Sequence, residues 1–561
     1  MDSPIQLVEV GTLRTLPNEE SQFIGSSTGI YFVNTVRRAF KASANNPNIA
    51  EHQGSIGTGS ERADPVEGFI HDEDGPSRSA SPVRPRSVPT PTIPRGPSYD
   101  AAPPGLGRPP DAATARRLLI LYFKLWHPVF PFLHGPTFFE EVEALYDPSR
   151  SLQDDAVDPD RRRCCRVIII QCVFNTVQAG TKEDLLGPSS RIESAHSLLF
   201  SLSSLATRQD LSSLQALLAA QLYLVTSGSM RAASTVGGVL ARSLFHSGLH
   251  RCPSRYPQLS EHDRDLRKRL FWCAYVFDRY LSQILGLPPG FQDSDVDVCI
   301  PGDEEQHLPA ITPTQRRQTL KDHLPRRSSK APSTPGTVTS DSHGTQQEGA
   351  HSQNEHRDSV LAGMVGYSKL TGRVVELFHK SVHVRSVDHT KISILASDID
   401  QWWFSLPEHL VSAERALNHQ ECPPDEKVPS FVPMFKVLHQ QLVLLINRPC
   451  LSLNPKSLEF KKSLQSCIQA SRGIIDALEM QVRLKQPIFL PELLSAAWMA
   501  GLILAFACQV NVYSVTKAHM EIKTCLSVLR SMSDQWKGAK HYYRTLDALF
   551  AHIHPDSADR G

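Results

Sequence analysis

The segment from Ser260 to Pro289 constrains this chain most. It opens with Ser260-Glu261-His262-Asp263, a capping-box pattern that satisfies free N–H groups at a helix start. Leu266, Leu270, Cys273, Phe277, Leu281 and Ile284 then step by four and three onto one face. Arg264, Arg267 and Lys268 fall off that stripe, and Gly286 with Pro288-Pro289-Gly290 ends the helix. The same 3.6-residue pattern runs from Ala112 to about Pro301 and again from Ser359 to about His552, while alternating patterns are short and few. The expected fold class is therefore all-α, a large multi-helix domain with disordered linkers.

With 561 residues, 40% of them hydrophobic, the chain can fill a sizeable core. Its 41 prolines are unevenly spread, which marks folded blocks joined by loose segments. Residues 1–42 form a short N-terminal part with an apolar stretch, Phe23 to Phe40. Residues 43–111 are rich in Ser, Pro and Gly and bury too little apolar area to offset their ordering entropy, so a linker is expected. Residues 112–302 read as a first helical part, 303–357 as a polar disordered insert, 358–552 as a second helical part and 553–561 as a tail. No fixed-period repeat is visible.

Leu211 to Met230 and Leu493 to Ser514 are uncharged and about as long as the ~20 residues a bilayer requires. Ser212, Ser213, Gln215, Gln221, Thr226 and Ser227 make the first polar for lipid. Both are expected as central helices covered by amphipathic neighbours, with no membrane involved. The N-terminus carries no secretory signal pattern. A net charge of +1, from 59 basic and 58 acidic side chains, confines any contact with nucleic acid to a local patch.

Several motifs have residue types that could carry chemistry. Gly25-Ser26-Ser27-Thr28-Gly29 matches the nucleophile elbow of hydrolases, but no wound sheet surrounds it. A hydrolase using Ser27 would lose ester turnover in Ser27→Ala. Asp293, Asp295, Asp297 and Glu304 sit at calcium-loop spacings, yet Val298 stands where the loop needs glycine and Pro301 where it needs a ligand. An extended loop is expected there, with Val296, Val298 and Ile300 on one face and solvated carboxylates on the other. The eleven cysteines are scattered and lack any C-x₂-C pair, so they read as reduced and buried, with no metal ligands and no cofactor. Cys164-Cys165 with Cys172 is the densest group and reads as core packing. His127 is expected to bond free carbonyls at a helix end. Asp278-Arg279, mid-helix among aromatics, is expected as an intradomain ion pair and not a catalytic acid. The basic runs Arg37-Arg38, Arg161-Arg162-Arg163 and Arg264 to Arg269 are expected on solvated faces, and Arg326-Arg327-Ser328-Ser329-Lys330 has the composition of a nuclear-import signal.

One order of motifs is familiar. Tyr122 to His134 contains Trp126-His127-Pro128; Gly238 to Arg251 ends in Gly248-Leu249-His250; Arg267 to Ser282 holds Trp272 and Asp278-Arg279; Gly286-Leu287-Pro288 follows, and Leu445-Ile446-Asn447-Arg448-Pro449 comes later. Together, over about 112–450, they resemble the fungal-specific transcription factor domain, the xylanolytic-activator-type regulatory region of zinc-cluster transcription factors. The segment 23–40 resembles a stretch upstream of that domain. The resemblance implies a non-enzymatic, nuclear regulator of RNA polymerase II transcription, with these signature residues in structural roles. It implies partners in the transcription machinery or another transcription factor, and a small-molecule effector. In that family DNA is read by a six-cysteine module holding two zinc ions. None of the residues before Phe23 is cysteine, so no zinc ligand and no DNA-contacting residue is assigned, and DNA contact is expected to be indirect or through a module this chain lacks. The alternative is a helical metabolite-binding or scaffold protein without a DNA role.

Overall fold

The computed structural model describes residues 11–15, 21–25, 32–33, 36, 103–146, 159–181, 183–307, 344–379, 389–412, 429–484, 486, 491–533 and 536–551. Among them are fifteen α-helices: α1 (Ala112–Leu125), α2 (Gly135–Tyr146), α3 (Pro159–Gly180), α4 (Ala195–Leu202), α5 (Leu211–Thr226), α6 (Met230–His246), α7 (Glu261–Leu285), α8 (Gly344–His379), α9 (His389–Ser405), α10 (Glu408–Val411), α11 (Val432–Asn447), α12 (Leu458–Arg483), α13 (Pro491–Gln509), α14 (Val515–Met532) and α15 (Lys537–Ala551). The all-α expectation holds.

Helix α7 has the ends its sequence predicts. Ser260 Oγ accepts the Asp263 N–H at 3.0 Å. At the other end Gly286 takes the left-handed conformation, φ 68°, and donates its N–H to the Ser282 carbonyl; only glycine adopts that geometry freely. The predicted stripe is buried, with Ile284 partly so, but burial does not stop there. Phe271, Trp272, Tyr275 and Val276 are also buried, because α6 and α8 pack on α7 from different sides. The expectation of a solvated basic face from Arg264 to Arg269 fails at Arg269, which is 2% exposed.

Two apolar cores result. The first gathers α1 through α9 around α7. The second is built by α12, α13, α14 and α15. Helix α11 belongs to both: Met434, Phe435, Leu438 and Leu442 face the first, Val437 and Leu444 the second. Helix α13 is the centre of the second. Its window Glu492–Gln509 has a mean hydropathy of 1.5 and is long and apolar enough to cross a bilayer, yet 89% of it is buried within the protein, as expected of a helix covered on all sides. Helix α5 plays the same part in the first core. Its Ser213 and Gln221 are buried and hydrogen-bonded, to Asp210 and to the Ala233 carbonyl.

Three boundaries differ from the sequence reading. First, β1 (Gly11–Thr15) and β2 (Ser21–Gly25) pair as an antiparallel hairpin, Gly11 opposite Gly25, across the point where the N-terminal part turns apolar at Phe23. Gly25 sits against Gly286 so closely that a Cβ on it would lie 1.9 Å from the Gly286 carbonyl oxygen. Second, the described stretch 103–111 packs, though it was read as linker. Leu106 is fully buried, and Arg108 N–H and Glu193 N–H bond the carbonyls of Ser189 and Gly105. One leucine and paired backbone groups suffice there, which composition alone does not register. Third, α8 begins at Gly344, inside the expected insert 303–357; Gln346, Gln347, Glu348 and Ala350 favour helix without an apolar stripe. The rest of that insert beyond residue 307, residues 43–102, Ser27, Cys422 and the 326–330 basic run lie outside the described residues.

The N-terminal apolar segment joins the second core. Phe32, Val33 and Val36 are buried there, and Phe32 meets Phe506 edge-on with centroids 5.6 Å apart. The ten described cysteines are free thiols, nine of them buried, in keeping with the reduced, buried reading.

Candidate functional site

The signature residues from Trp126 to Pro288, but not Arg448 and Pro449, gather around the C-terminal two-thirds of α7 and the loop that follows it. Arg279 is buried, and its guanidinium has four partners. Nη1 donates to Asp278 Oδ2 at 2.7 Å and to the Phe291 carbonyl at 3.0 Å, Nη2 donates to Asp293 Oδ1 at 2.6 Å, and the group lies 4.3 Å from the Tyr275 ring centroid. Asp278 accepts the backbone N–H groups of Gly290 and Phe291. Burial raises its pKa, with Arg279 and those N–H groups opposing. The expected intradomain ion pair is present, and it does more than balance charge: it fixes the chain reversal after Gly286 onto α7. A Cβ on Gly372 of α8 would come within 2.7 Å of Arg279 Nε, so α8 closes over the same guanidinium. Trp272, about two turns earlier, donates Nε1–H to the Cys299 carbonyl at 3.0 Å. Pro288 is exposed in the reversal itself.

The loop carboxylates therefore do not converge. Asp293 is committed to Arg279 and Tyr275, while Asp297 accepts the Cys252 N–H at 2.8 Å and pairs with Arg255 at 2.7 Å. Each is bound by a protein guanidinium instead of sharing one cation with the others. The expectation of solvated carboxylates holds for Asp293, 51% exposed although paired, while Asp297 is drawn in to 24% exposure by its arginine and the Cys252 N–H. Val298 is buried and Val296 and Ile300 partly so.

Trp126 is buried at the end of α1, and His127 follows in the turn to α2. His127 Nε2 lies 3.0 Å from the Leu133 carbonyl, so it holds the far side of the turn and not the last carbonyls of α1. Burial pushes its pKa down to about 3, against the pull of that carbonyl, so the neutral ring donates. Pro128 is half-buried in the same turn. Arg269 braces it from α7, donating Nη1–H to the Pro131 carbonyl at 2.5 Å while Nε bonds Asp265. Gly248, φ 70°, ends α6 in a Schellman motif: the Leu249 N–H reaches the Leu244 carbonyl and the Gly248 N–H that of Phe245. Leu249 is buried below, and His250 stands edge-on to Phe245, its carbonyl accepting the Asp297 N–H. Arg448 and Pro449 lie elsewhere, in a 3₁₀ turn after α11; burial brings Arg448 down to about 10.

Two features escaped the sequence reading. Glu492, at the first turn of α13, is 2% exposed and receives the Tyr367 hydroxyl; burial raises its carboxyl to about 7. Cys252, Cys299, Glu305 and His307 place their donor atoms within 4.8 Å of one another. Pairwise C-x₂-C spacing has no access to such a group, because α7 separates its first member from the others. A cavity of about 220 Å³ between α1 and α2, lined by Leu119, Phe139, Val142 and Tyr146 and flanked by Arg116 and Glu143, is smaller than the roughly 300–1,000 Å³ of usual small-molecule sites.

Residues 119–404, from α1 to α9, match the fungal specific transcription factor domain. The chain belongs to that family. It is 42% identical over 97% of its length to the Probable transcription factor FUP6 of Fusarium proliferatum, covering 77% of that protein. It is 22% identical to the Transcriptional activator protein acu-15 of Neurospora crassa and 21% identical to Activator of stress genes 1 of Saccharomyces cerevisiae, over 82% and 75% of this chain but 41% of each of theirs. No solved structure matches. The family's role is transcription regulation, and these relatives do not favour the metabolite-binding or scaffold alternative. The matched region contains the assembled motifs from Trp126 to Pro288 and stops short of Arg448-Pro449. The family's two zinc ions need a six-cysteine module, and no such donor set is formed among the described residues.

Proposed function

We propose that this chain is the nuclear regulatory region of a zinc-cluster-type transcription factor, acting on RNA polymerase II transcription through the transcription machinery or another transcription factor. The supporting observation is that the family's ordered motifs, scattered from Trp126 to Pro288, assemble around α7 into one scaffold whose side chains bond loop carbonyls. A scaffold of that kind offers fixed surfaces to partners, which fits a regulatory role. The near-neutral charge fits a region whose contact with nucleic acid is at most local. The effector ligand of such a factor has no site assigned here.

The test fuses the chain to a heterologous DNA-binding module and measures a reporter in a fungal host, with the tagged chain followed by microscopy. Nuclear accumulation and a reporter level different from the module alone are expected. A cytosolic chain that leaves the reporter unchanged, and whose deletion leaves all transcripts unchanged, would remove the proposal.

A further inference from the structure

The turn after α6 and the loop after α7 are joined by four side chains with metal-binding chemistry. Cys252 follows the Gly248 turn, Cys299 ends the loop segment held by Trp272, and Glu305 and His307 follow. Cys252 Sγ lies 3.2 Å from Glu305 Oε1, and Cys299 Sγ lies 3.2 Å from His307 Nδ1. Both cysteines are buried and the other two partly so, and all four donor atoms lie within 4.8 Å of one another.

We propose that Cys252, Cys299, Glu305 and His307 form a closed structural zinc site that pins the turn after α6 to the loop after α7. Zinc takes thiolate, imidazole and carboxylate together in tetrahedral sites, with Zn–S about 2.3 Å and Zn–N or Zn–O about 2.0–2.2 Å. Those lengths give a ligand-to-ligand spacing of about 3.5 Å at the tetrahedral angle. The two close pairs are already near it, and the wider pairs need to close by about 1 Å. Both loops can supply that movement through side-chain rotation.

Three further features suit the ion. Glu305 offers Oε1 to the sulfurs while its Oε2 is bonded to Lys268, so one oxygen faces the metal and the other is held. Two thiolates, a carboxylate and Zn²⁺ leave one negative charge, which the Lys268 ammonium balances. The ligand backbones are also fixed from outside: the Cys252 N–H by Asp297 and the Cys299 carbonyl by Trp272, the outer-shell support that metal sites need. Both cysteines bind zinc as thiolates, so binding releases their thiol protons. This site is distinct from the family's two-zinc cluster and departs from the expectation, drawn from cysteine spacing, that the chain holds no metal.

The experiment uses the full 561-residue chain, purified under reductant and without chelator. Elemental analysis should find about one zinc per chain. After stripping, Co²⁺ should give the thiolate charge-transfer band and the d–d bands of a tetrahedral ion, and zinc should displace it. Cys252→Ser with Cys299→Ser should lose the metal and the thiolate band. His307→Ala should keep a thiolate band at weaker affinity, and Cys164→Ser should change nothing. Should the double variant not fold, the wild-type chain decides: uptake of neither zinc nor cobalt after stripping overturns the site. Equal metal content in the wild type and the double variant overturns it too, as does a Cys252–Cys299 disulfide in protein from a reducing compartment.

Discussion

The two cores are centred on helices of opposite character. Helix α7 is buried on nearly all sides and yet carries Arg269, Asp278 and Arg279, each tied to loop backbone or loop carboxylates. Helix α13 is buried as deeply and carries one acidic or basic side chain, Glu492. The second core is held by shape and apolar area, as in the stacking of Trp498 on Tyr542 at 4.4 Å. In the first core, charge specifies where loops attach. Buried ion pairs are weak evidence for stability but strongly destabilising to break, because the surviving charge stays buried. The contrast therefore predicts that the first core fails by losing a charge and the second by losing volume.

The largest effect should come from Arg279→Met. It strands Asp278 and frees Asp293, and a cost of about 3–5 kcal/mol is expected in urea unfolding. A loss under about 1 kcal/mol would show that the knot is replaceable by apolar contact. Leu504→Ala, in a fully buried position of α13, should cost about 3 kcal/mol through lost transfer energy and a residual cavity. Combined with Arg279→Met it should be additive, since the two sites share no partners. A large coupling energy would mean that the cores are one unit and that the comparison drawn above is false.

Glu492 gives the next test. Its carboxyl is raised from 4.5 to about 7. Between those values the folded chain holds a proton that the unfolded chain has released, so stability falls as pH rises through that window. The cost above it is up to about 3 kcal/mol. Glu492→Gln should flatten this slope and make the protein more stable than wild type near neutrality. An unchanged stability–pH profile in the glutamine variant would place Glu492 in a more polar setting than its burial indicates. The smallest effect is expected from Ser260→Ala, which removes the α7 N-cap at the exposed end of the first core, at about 1 kcal/mol. Hydrogen exchange should show faster opening of the first turn of α7 alone; opening that spreads to Trp272 would tie the cap to the whole loop scaffold.

Much of this was legible in the amino acids. The stripe from Leu266 to Ile284, its Ser260 cap and its Gly286 stop fix α7, because side-chain period and free N–H groups are local properties of the chain. The apolar all-round character of α5 and α13 and the Asp278–Arg279 pair were legible for the same reason. What lies across the sequence was not. Arg269 reads as one more residue in a basic run, and the carbonyls of Pro131 and Leu133, brought over from another turn, join Asp265 in making its burial tolerable. Asp293 and Asp297 read as free carboxylates until two arginines reach them. Glu492 looks like an ordinary first-turn acid until α8 and α11 cover it with Tyr367 and Gln441. Cys252 and Cys299 look unrelated until the folding of α7 between them sets their sulfurs beside Glu305 and His307. The sequence by itself determined which segments become helices, where they stop and which faces they bury. The tertiary structure alone decided which charges and donor atoms meet, since those meetings depend on distances through space that no local period encodes.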